Sequence, residues 1–538
     1  MNMVLSPRPY VGCRGLVPIV TSVGGWWYGG AGRKVVASVK RFGEYLGVLG
    51  DLVAESSLGD DPVITQVTYD SREVVPGALF ICKGVHFSPD YLRQAVERGA
   101  VAYISLEPYP EITSIPYALV SDMRATIASA GTLFYDREWD ALTILGITGT
   151  KGKSTTVMYL HSILSAWAKS TGGPRPGILS TIINYDGVIE APSVKTTAET
   201  LDLYKHLHNA VTTGLTEVCM EVSSQGLRYR RVANVEFDVA GWLNIVEDHI
   251  SPAEHKDMED YLSAKLMLFS QSRHAVVNIR TQELDRVMAA AAACESLTTF
   301  GLQRADDPIE ADFLGSQVRP TPTGQDFTVT ADGTDHRLFL PMPGTFNVEN
   351  ALAAIAMARN IDVPWDSIAA GLADVHVPGR MDAFRLASGA LAIVDYAHQK
   401  LSIETLLDYI HTDYPTSAIT MVFGCGGQKA LNRREELGIL AREHADTIVL
   451  TEEDPGDVAV IDICEEIDRH IQAGGPRPSH IIVDRVEAIN YALEHARDGD
   501  VVLILGKGDE PWQLRGATQV PQPSDIDVVN DFLARESG

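Results

Sequence analysis

The sequence predicts an α/β protein in which parallel sheets are covered by helices. An apolar, strand-like run at 142–147 (LTILGI) leads through a glycine-rich turn into 155–167, where apolar residues recur at helical spacing. Short apolar runs also alternate with helical stretches through 141–375, and again from 376 to the C-terminus. Such alternation favours parallel sheets, with ligands bound at the carboxyl ends of the strands.

The turn at 148–154 (TGTKGKS) is typical of a phosphate-binding loop. Backbone N–H groups and the positive end of the helix dipole face an anion in such a loop. Lys153 can reach the terminal phosphates, and Ser154 is placed to ligate Mg²⁺. The strict pattern has glycine where this chain has Ile147. The flanking strand and helix nevertheless favour nucleotide binding over an ordinary glycine turn.

Composition excludes several classes of protein. With 44 Lys and Arg against 71 Asp and Glu, the formal net charge is −27, which argues against a nucleic-acid partner. The six cysteines lie scattered without paired spacing, which suits a reducing cytoplasm rather than a disulfide framework or a zinc site. No run reaches the roughly 18–20 apolar residues of a membrane span. We expect a cytoplasmic enzyme that binds neither membrane nor nucleic acid, and a monomer, although the sequence does not determine the oligomeric state.

The length of 538 residues predicts several domains. Residues 1–37 are glycine-rich and aromatic, and we expect a flexible N-terminal extension there. Residues 38–140 show short strands and turns, with a strong turn signal at Pro76-Gly77. Residues 141–375 and 376–538 are the two alternating segments. Beyond the first run, the strands predicted in them are 217–222, 237–244, 274–279, 296–301, 391–395, 418–423, 447–451, 480–483 and 501–505.

Polar clusters follow five of these strands directly. They lie at 221–224, 244–249, 395–398, 453–455 and 506–510. One such cluster is most simply an ordinary polar loop. Five at the same end of successive strands, in a chain with a phosphate loop, predict a shared active site.

Ten motifs occur in matching order from about Phe42 to the C-terminus: DSREVVPGALF, TGTKGKST, KTTAET, MEVSSQGL, DHISPAEHKDMEDYLSAK, GTFNVENALAA, VPGRMDAF, VDYAH, VFGCGG and GKGDE. With them the chain resembles the Mur ligase family of peptidoglycan synthesis, and within it the UDP-N-acetylmuramoyl-tripeptide synthetases. The resemblance implies three domains. They are an N-terminal domain for the UDP end (38–140), a central P-loop ATPase domain with a parallel sheet (141–375) and a C-terminal Rossmann-like domain that admits the amino acid (376–538).

The reaction implied by the resemblance is ATP-dependent amide formation. ATP phosphorylates the D-glutamate carboxylate of UDP-N-acetylmuramoyl-L-alanyl-D-glutamate, and an amine then attacks the acyl phosphate. Such chemistry depends on positioning and on neutralising charge. The implied catalytic residues are Lys153, Glu221, His249 and Lys265.

The resemblance also implies a magnesium site. Its ligands are Ser154, Glu221, His249 and Lys265. Lys265 is implied to react with CO₂ to form a carbamate, which turns a cation into an anionic oxygen ligand. The alternatives are a surface carboxylate for Glu221, a structural histidine for His249 and a plain helix-surface lysine for Lys265.

Nucleotide and substrate contacts follow from the resemblance as well. Asp395 suits ribose hydroxyls, Arg380 suits a phosphate and Arg231 suits an anionic group of the dipeptide. A helix N-cap is the alternative for Asn347. The ATP-binding set is Gly149, Thr150, Lys151, Gly152, Lys153, Ser154, Thr155, Asn347, Arg380, Asp395 and His398. The set for the UDP-linked substrate is Ser71, Arg72, Thr196, Thr197, Ser223 and Arg231.

The amino acid is predicted to be L-lysine. Relatives that use meso-diaminopimelate carry D-N-P-R in the loop that reads EDPG here, so Gly456 replaces the arginine that holds the distal carboxylate. Three carboxylates (Glu453, Asp454, Glu510) without an arginine suit a cationic ε-amine, whose attraction is on the order of a few kcal/mol. Gly506 completes the implied amino-acid site. L-Ornithine and meso-diaminopimelate stay open as alternatives.

Other functions are less well supported. They are a related ligase (another Mur step or folylpolyglutamate synthetase), a catalytically inactive scaffold, and a P-loop ATPase of transport. The intact catalytic set argues against the inactive scaffold, and the lack of a membrane segment argues against transport. Departures from the usual family residues (Lys151, Gln225, Gln399-Lys400 and Asp509) concern substrate contacts rather than the reaction.

Overall fold

The computed structural model describes residues 39–84, 87–193, 195–247, 250, 254–304, 307–321, 323–427 and 431–537. The predicted extension at 1–37 and the predicted ligand His249 lie outside the described residues, so both stay predictions. Within the described ranges, no helix is long and apolar enough to cross a membrane.

The first block, residues 40–135, contains a five-stranded sheet, a separate two-stranded antiparallel sheet and three helices. Its elements are β1 (Lys40–Arg41), α1 (Phe42–Leu49), β2 (Val53–Ser57), β3 (Val63–Ile64), β4 (Gln66–Thr68), β5 (Ala78–Ile81), α2 (Pro89–Glu97), β6 (Ala100–Ser105), β7 (Tyr117–Val120) and α3 (Met123–Tyr135). The strand order is β2-β7-β6-β5-β4, with β4 to β7 parallel and β2 antiparallel at one edge. The predicted Pro76-Gly77 turn leads into β5. Gly77 has a φ of +93°, and a Cβ there would collide with Thr65.

The next block is built around an eleven-stranded sheet. Its elements are β8 (Thr143–Thr148), α4 (Lys153–Thr171), β9 (Gly177–Leu179), β10 (Ile183–Tyr185), β11 (Glu190–Pro192), α5 (Thr200–Thr213), β12 (Glu217–Glu221), α6 (Ser224–Arg228), β13 (Phe237–Trp242), α7 (Met258–Leu266), β14 (Ser272–Asn278), α8 (Leu284–Ala291), β15 (Ser296–Leu302), β16 (Phe313–Thr321), β17 (Gly324–Ala331), β18 (Thr334–Leu340), α9 (Thr345–Arg359) and α10 (Trp365–Ala373). The order is β11-β10-β9-β12-β8-β13-β14-β15-β16-β17-β18. Strands β9 to β16 of this order run parallel.

The apolar run of β8 explains why this sheet is buried on both faces. Leu145 and Ile147 belong to a core shared with α4, α9 and α10, whereas Ile144 packs on the other side with Tyr204 of α5. Successive side chains of a strand point to opposite faces, so a continuous apolar run requires cover on both. Burial of each such side chain contributes about 1.5–3 kcal/mol.

The last block carries a six-stranded sheet and a hairpin. Its elements are β19 (Asp382–Arg385), β20 (Leu391–Asp395), α11 (Lys400–Asp413), β21 (Ile419–Phe423), α12 (Asn432–His444), β22 (Thr447–Leu450), α13 (Val460–Gln472), β23 (Ser479–Ile481), α14 (Arg485–His495), β24 (Val501–Leu505), β25 (Trp512–Arg515), β26 (Thr518–Pro521) and α15 (Asp525–Ser537). The order is β19-β20-β24-β21-β22-β23, with only the edge strand β19 antiparallel.

The predicted α/β class with parallel sheets is confirmed. A further sheet with parallel strands occurs in the first block, where the sequence predicted only short strands and turns. The predicted domain boundaries stay predictions. They fall between α3 and β8 and between α10 and β19.

Candidate active site

The loop between β8 and α4 is shaped by two glycines and one asparagine. Gly152 has a φ of +85°, and a Cβ there would collide with Asn350. A Cβ at Gly149 would lie 2.9 Å from the side chain of Leu243. Asn244 accepts the Lys151 N–H at 2.9 Å and donates back to the Lys151 carbonyl at 3.1 Å. The loop is therefore held by the segment that follows β13, which leaves its backbone preformed for an anion.

Two lysine ammonium groups converge on this loop. Lys153 donates from Nζ to the carbonyls of Gly149 (2.9 Å) and Thr150 (3.1 Å). Lys265, whose side chain is buried, donates to the same Gly149 carbonyl at 2.8 Å. Its helix is also tied to the loop, because the Tyr261 hydroxyl donates to Thr150 Oγ1 at 3.1 Å. The loop therefore concentrates positive charge where phosphates would bind.

Glu221 lies beside the loop with part of its carboxylate unused. It pairs with Ile147 in the parallel register of β12 and β8, at the carboxyl ends of both strands. Its Oε1 accepts from the Thr181 N–H (2.7 Å) and hydroxyl (2.9 Å). Its Oε2 is buried and has no hydrogen-bond partner within the part of the chain that the structure describes. A buried carboxylate oxygen without a partner is costly, and Mg²⁺ prefers such a hard oxygen ligand.

The residues present fit the predicted magnesium site in part. Ser154 is half-buried in the first turn of α4, next to Lys153, and Thr155 behind it is buried. Among the described residues, which exclude His249, no group of three or more His, Cys, Asp or Glu side chains could hold a metal. The four-ligand set therefore stays a prediction.

A buried histidine that sequence reasoning missed holds the surrounding helices together. His255 contacts Ser224 Oγ through Nε2 (2.9 Å) and Asp260 Oδ2 through Nδ1 (3.0 Å). Arg228 donates to the same Asp260 oxygen at 2.6 Å. These contacts join α6 to α7, the helix that carries Lys265. The motif that contains His255 and Asp260 was recognised, but nothing in its spacing shows which groups pair.

Three predicted substrate residues meet next to Glu221. Thr197 Oγ1 accepts the Ser223 N–H at 2.9 Å and lies 3.1 Å from the Glu221 carbonyl. Arg231 donates to the Thr197 carbonyl at 3.2 Å, and its buried Nε has no partner among the described residues. Thr196, also predicted, is half-buried beside Thr197. The structure thus brings this polar cradle to the carboxyl edge of the central sheet.

The other two predicted substrate residues lie in the first block. Ser71 is buried and contacts Gln94 at 3.3 Å, whereas the Arg72 side chain is 82% exposed and pairs with Asp70. The preceding Tyr69 donates to Asp202 of α5 at 2.8 Å. This segment therefore reaches the central block through Tyr69.

Of the predicted nucleotide residues of the last block, Asp395 is buried, whereas Arg380 and His398 are half-buried. Each Asp395 oxygen accepts one backbone N–H, from Met381 (2.9 Å) and Ala397 (2.7 Å), and burial raises the pKa of this carboxyl despite the nearby Arg380. Burial and the charge of Arg433 lower the pKa of His398 to about 3, so its imidazole is neutral at physiological pH. Asp395 therefore stabilises the backbone at Met381 and at Ala397, in addition to the predicted contact with ribose.

Asn347 is not a helix N-cap. Helix α9 begins at Thr345 with Gly344 as its N-cap. The Asn347 amide donates to the Pro343 carbonyl at 2.7 Å. The N-cap alternative is therefore wrong, and the adenine contact stays a prediction.

The amino-acid loop differs from the prediction in its charge. The Lys507 ammonium pairs with Asp454 (3.0 Å) and with Glu510, and it lies 3.8 Å from the centre of the Trp512 ring. The Lys507 side chain is only 2% exposed. Tyr396 donates to the other Glu510 oxygen at 3.1 Å. An ammonium of the protein itself therefore already pairs with both carboxylates, and their contact with an incoming amino acid stays a prediction.

Glu453 is the third predicted carboxylate of this loop. Burial raises its pKa to about 7. Gly506 has a φ of +111°, and a Cβ there would lie 2.5 Å from Glu453 Oε2, so this glycine leaves room for the carboxylate. Arg433 of α12 lies 3.9 Å from Glu453 Oε1. The expected absence of an arginine is therefore wrong for the folded site, although the loop itself has Gly456 at the arginine position.

Comparison with known proteins identifies the family to which this fold belongs. Models of the "Mur ligase middle domain" and the "Mur ligase, glutamate ligase domain" match residues 147–358 and 379–508. A UDP-N-acetylmuramyl-tripeptide synthetase of Lactobacillus delbrueckii subsp. bulgaricus is 35% identical, over 88% of this chain and 93% of its own. A UDP-N-acetylmuramoyl-L-alanyl-D-glutamate–L-lysine ligase of Enterococcus faecalis is 33% identical, over 90% and 94%. A solved UDP-N-acetylmuramoyl-L-alanyl-D-glutamate–2,6-diaminopimelate ligase superposes with a TM-score of 0.60 at 25% identity, over 88% and 96%.

The fold and the loop geometry define a nucleotide-binding α/β enzyme whose site lies at the carboxyl edges of parallel sheets. The chain belongs to the Mur ligase family. It is a ligase, as the resemblance implied.

Proposed function

We propose that this ligase adds L-lysine to UDP-N-acetylmuramoyl-L-alanyl-D-glutamate, with ATP as the energy source, in the cytoplasm. The observation that carries the proposal is the convergence of Lys153, Lys265 and the half-satisfied Glu221 on one phosphate loop. Such a set neutralises phosphate charge and leaves an oxygen ligand for a metal. The proposal is supported by the Lactobacillus relative, a tripeptide synthetase, and by the Enterococcus relative, an L-lysine ligase.

The first step is phosphoryl transfer from ATP to the γ-carboxylate of the D-glutamate. Lys153 moves from the loop carbonyls to the transferred phosphate, and the loop N–H groups orient it. Ser154, Glu221, His249 and a carbamate on Lys265 would hold Mg²⁺. That metal would supply positive charge against the phosphates. Thr197, Ser223 and Arg231 orient the dipeptide beside Glu221.

We also propose that Lys265 is carbamylated, as the resemblance to the family implies. Its nitrogen, once unprotonated, adds to the carbon of CO₂ and releases one proton, which gives a carbamate anion. This change replaces one of the two ammonium groups on the Gly149 carbonyl by an anionic oxygen ligand of the kind that Mg²⁺ prefers. Mass spectrometry of gently handled protein should show the mass of one added CO₂, absent from Lys265→Ala. A plain amine together with full activity of that variant would refute the carbamate.

In the second step the amine of the incoming amino acid attacks the acyl phosphate, and phosphate leaves. Lysine is proposed because Gly456 stands where diaminopimelate enzymes carry arginine, and because Glu453 offers a carboxylate for the ε-ammonium. The Enterococcus relative, which is named an L-lysine ligase, supports the same choice of amino acid. The alternative is diaminopimelate, the amino acid in the name of the solved diaminopimelate ligase. Arg433 beside Glu453 would favour it, because a guanidinium attracts the second carboxylate of diaminopimelate.

ADP release and product mass with UDP-muramoyl dipeptide, measured for lysine, ornithine and diaminopimelate in turn, test the proposal. We expect turnover with lysine and none from Lys153→Met. A preference for diaminopimelate would overturn the amino-acid assignment alone. No ADP release with any of the three would overturn the proposed reaction.

A further inference from the structure

A cluster of three cations converges on one carboxylate between the first block and the central block. Glu199, which precedes α5, accepts from Lys83 (2.5 Å), Lys195 (2.6 Å) and Arg231 (2.9 Å). Lys83 follows β5 of the first sheet, whereas the other three residues belong to the central block. The first block therefore contributes a cation to the cradle that contains Arg231.

The cluster has an excess of positive charge. Its three cations face one anion, which leaves two positive charges among these four groups. Burial alone would raise the pKa of Glu199, but hydrogen bonds from Lys195 and Lys83 and the charge of Arg231 lower it to about 2. The Glu199 carboxylate is thus fully ionised, but its single negative charge does not balance the three cations. A partly buried excess of charge is stabilised by an anion from outside.

The donors of the cluster are not exhausted. An ammonium carries three N–H donors and a guanidinium carries five. The Arg231 Nε is buried without a partner in the described part of the chain, and the Lys83 side chain is 30% exposed. The cluster therefore keeps hydrogen-bond donors beyond those that contact Glu199.

The cluster contacts residues near both predicted substrate regions, the metal site and the UDP-binding segment. Arg231 donates to Thr197, which contacts the carbonyl of Glu221, the candidate metal ligand. On the other side, Lys83 lies 4.3 Å from the centre of the Tyr69 ring, just before the segment predicted to hold the UDP end. The cluster lies between the reacting end and the nucleotide end.

We propose that Lys83 is a substrate-binding residue that, together with Arg231, binds an anionic group of UDP-muramoyl dipeptide, and that Glu199 positions both cations. This inference rests on the proposed function. The substrate offers two such groups, the α-carboxylate of D-glutamate and the diphosphate. Both make charge-assisted hydrogen bonds with Lys and Arg.

Steady-state kinetics of Lys83→Met test the proposal. The KM for UDP-muramoyl dipeptide should rise about tenfold, as expected for one lost charge-assisted hydrogen bond, with kcat and the KM values for ATP and lysine unchanged. Lys83→Arg should restore the KM, and Glu199→Gln should raise the same KM. Lys40→Met is the matched control, since Lys40 also pairs with a carboxylate (Asp136) at 2.5 Å in the first block. It should leave every constant unchanged.

Two modified substrates distinguish the anionic groups. If the α-carboxylate is bound, the Lys83→Met penalty disappears with the α-amide (D-isoglutamine) substrate. If the diphosphate is bound, the penalty disappears with N-acetylmuramoyl dipeptide, which lacks the whole UDP group. An unchanged KM in Lys83→Met, or an equal penalty on all three substrates, would overturn the proposal. Failure of the proposed function is distinguishable, because the unmodified enzyme would then show no turnover.

Discussion

The phosphate loop of the central sheet and the amino-acid loop of the last sheet both lie at carboxyl edges of parallel strands. They differ in whether their carboxylates are paired with cations of the protein. At the phosphate loop, two ammonium groups share the Gly149 carbonyl, and one oxygen of Glu221 has no partner among the described residues. At the amino-acid loop, Asp454 and Glu510 share the ammonium of Lys507. The first region leaves a carboxylate oxygen for a ligand, whereas in the second each of the two carboxylates pairs with an ammonium of the protein itself.

This difference separates charges that serve ligands from charges that serve the fold. An unsatisfied buried charge costs stability, and that cost is recovered when a ligand or metal binds. A paired charge keeps its partners in place, and removing one partner leaves the other uncompensated. Substitutions in the first region should therefore change activity, and those in the second should change stability.

The largest effect is expected for Glu221→Gln. The variant removes a proposed metal ligand, so kcat should fall by about 10²- to 10³-fold. The melting temperature should not fall, because a buried charge with an unpartnered oxygen is removed. Kinetics and thermal unfolding of the same preparation check both statements. A lower melting temperature with retained activity would place Glu221 among the structural charges and break the comparison.

Lys507→Met should have its main effect on stability. It leaves Asp454 and Glu510 without their cation, and the free energy of unfolding should fall by roughly 2–3 kcal/mol, a value reduced because both carboxylates are about a quarter exposed. The matched control is Lys400→Met, which breaks an exposed pair with Glu404 and should cost below about 0.5 kcal/mol. Urea unfolding of both variants measures the difference. Equal stability of the two would show that Lys507 is dispensable to the fold.

Gly506→Ala is expected to cost about 1–3 kcal/mol and to raise the KM for lysine. Its φ of +111° strains any L-residue, and its Cβ would also press on Glu453. Gly499→Ala measures the backbone strain alone, since Gly499 has a φ of +83° but no atom within 4 Å of its Cβ position. The difference between the two variants therefore measures the contact with Glu453. If both variants lose the same stability and keep the same KM, contact with Glu453 plays no part.

The smallest effect is a pH dependence of lysine binding. The pKa of Glu453 is about 7, so this carboxyl is mostly protonated at pH 6 and mostly ionised at pH 8. Only the ionised form attracts an ε-ammonium. The KM for lysine should therefore fall by up to about tenfold as pH rises between these values. In Glu453→Gln this pH-dependent fall should be absent. A parallel fall in both would assign the titration to another group.

Most of the fold could be predicted because its signals are local. Apolar runs such as 501–505 became buried parallel strands, and the glycine-rich turn became a loop closed by Gly149 and Gly152. The first block was predicted less well, because β3 and β4 have only two or three residues and show no usable period.

The sequence by itself determined the reaction class. The phosphate loop, the strand ends and the ordered motifs are each short contiguous stretches, so they can be recognised without knowledge of the fold. The tertiary structure decided which charges are left for ligands. Lys507 and Asp454 are 53 positions apart, and Lys83 and Glu199 are 116 apart. No periodicity or spacing specifies such pairs, because they form only when separate strands deliver both side chains to one place. For that reason the carboxylates of the amino-acid loop read as available in the sequence and are paired in the folded protein.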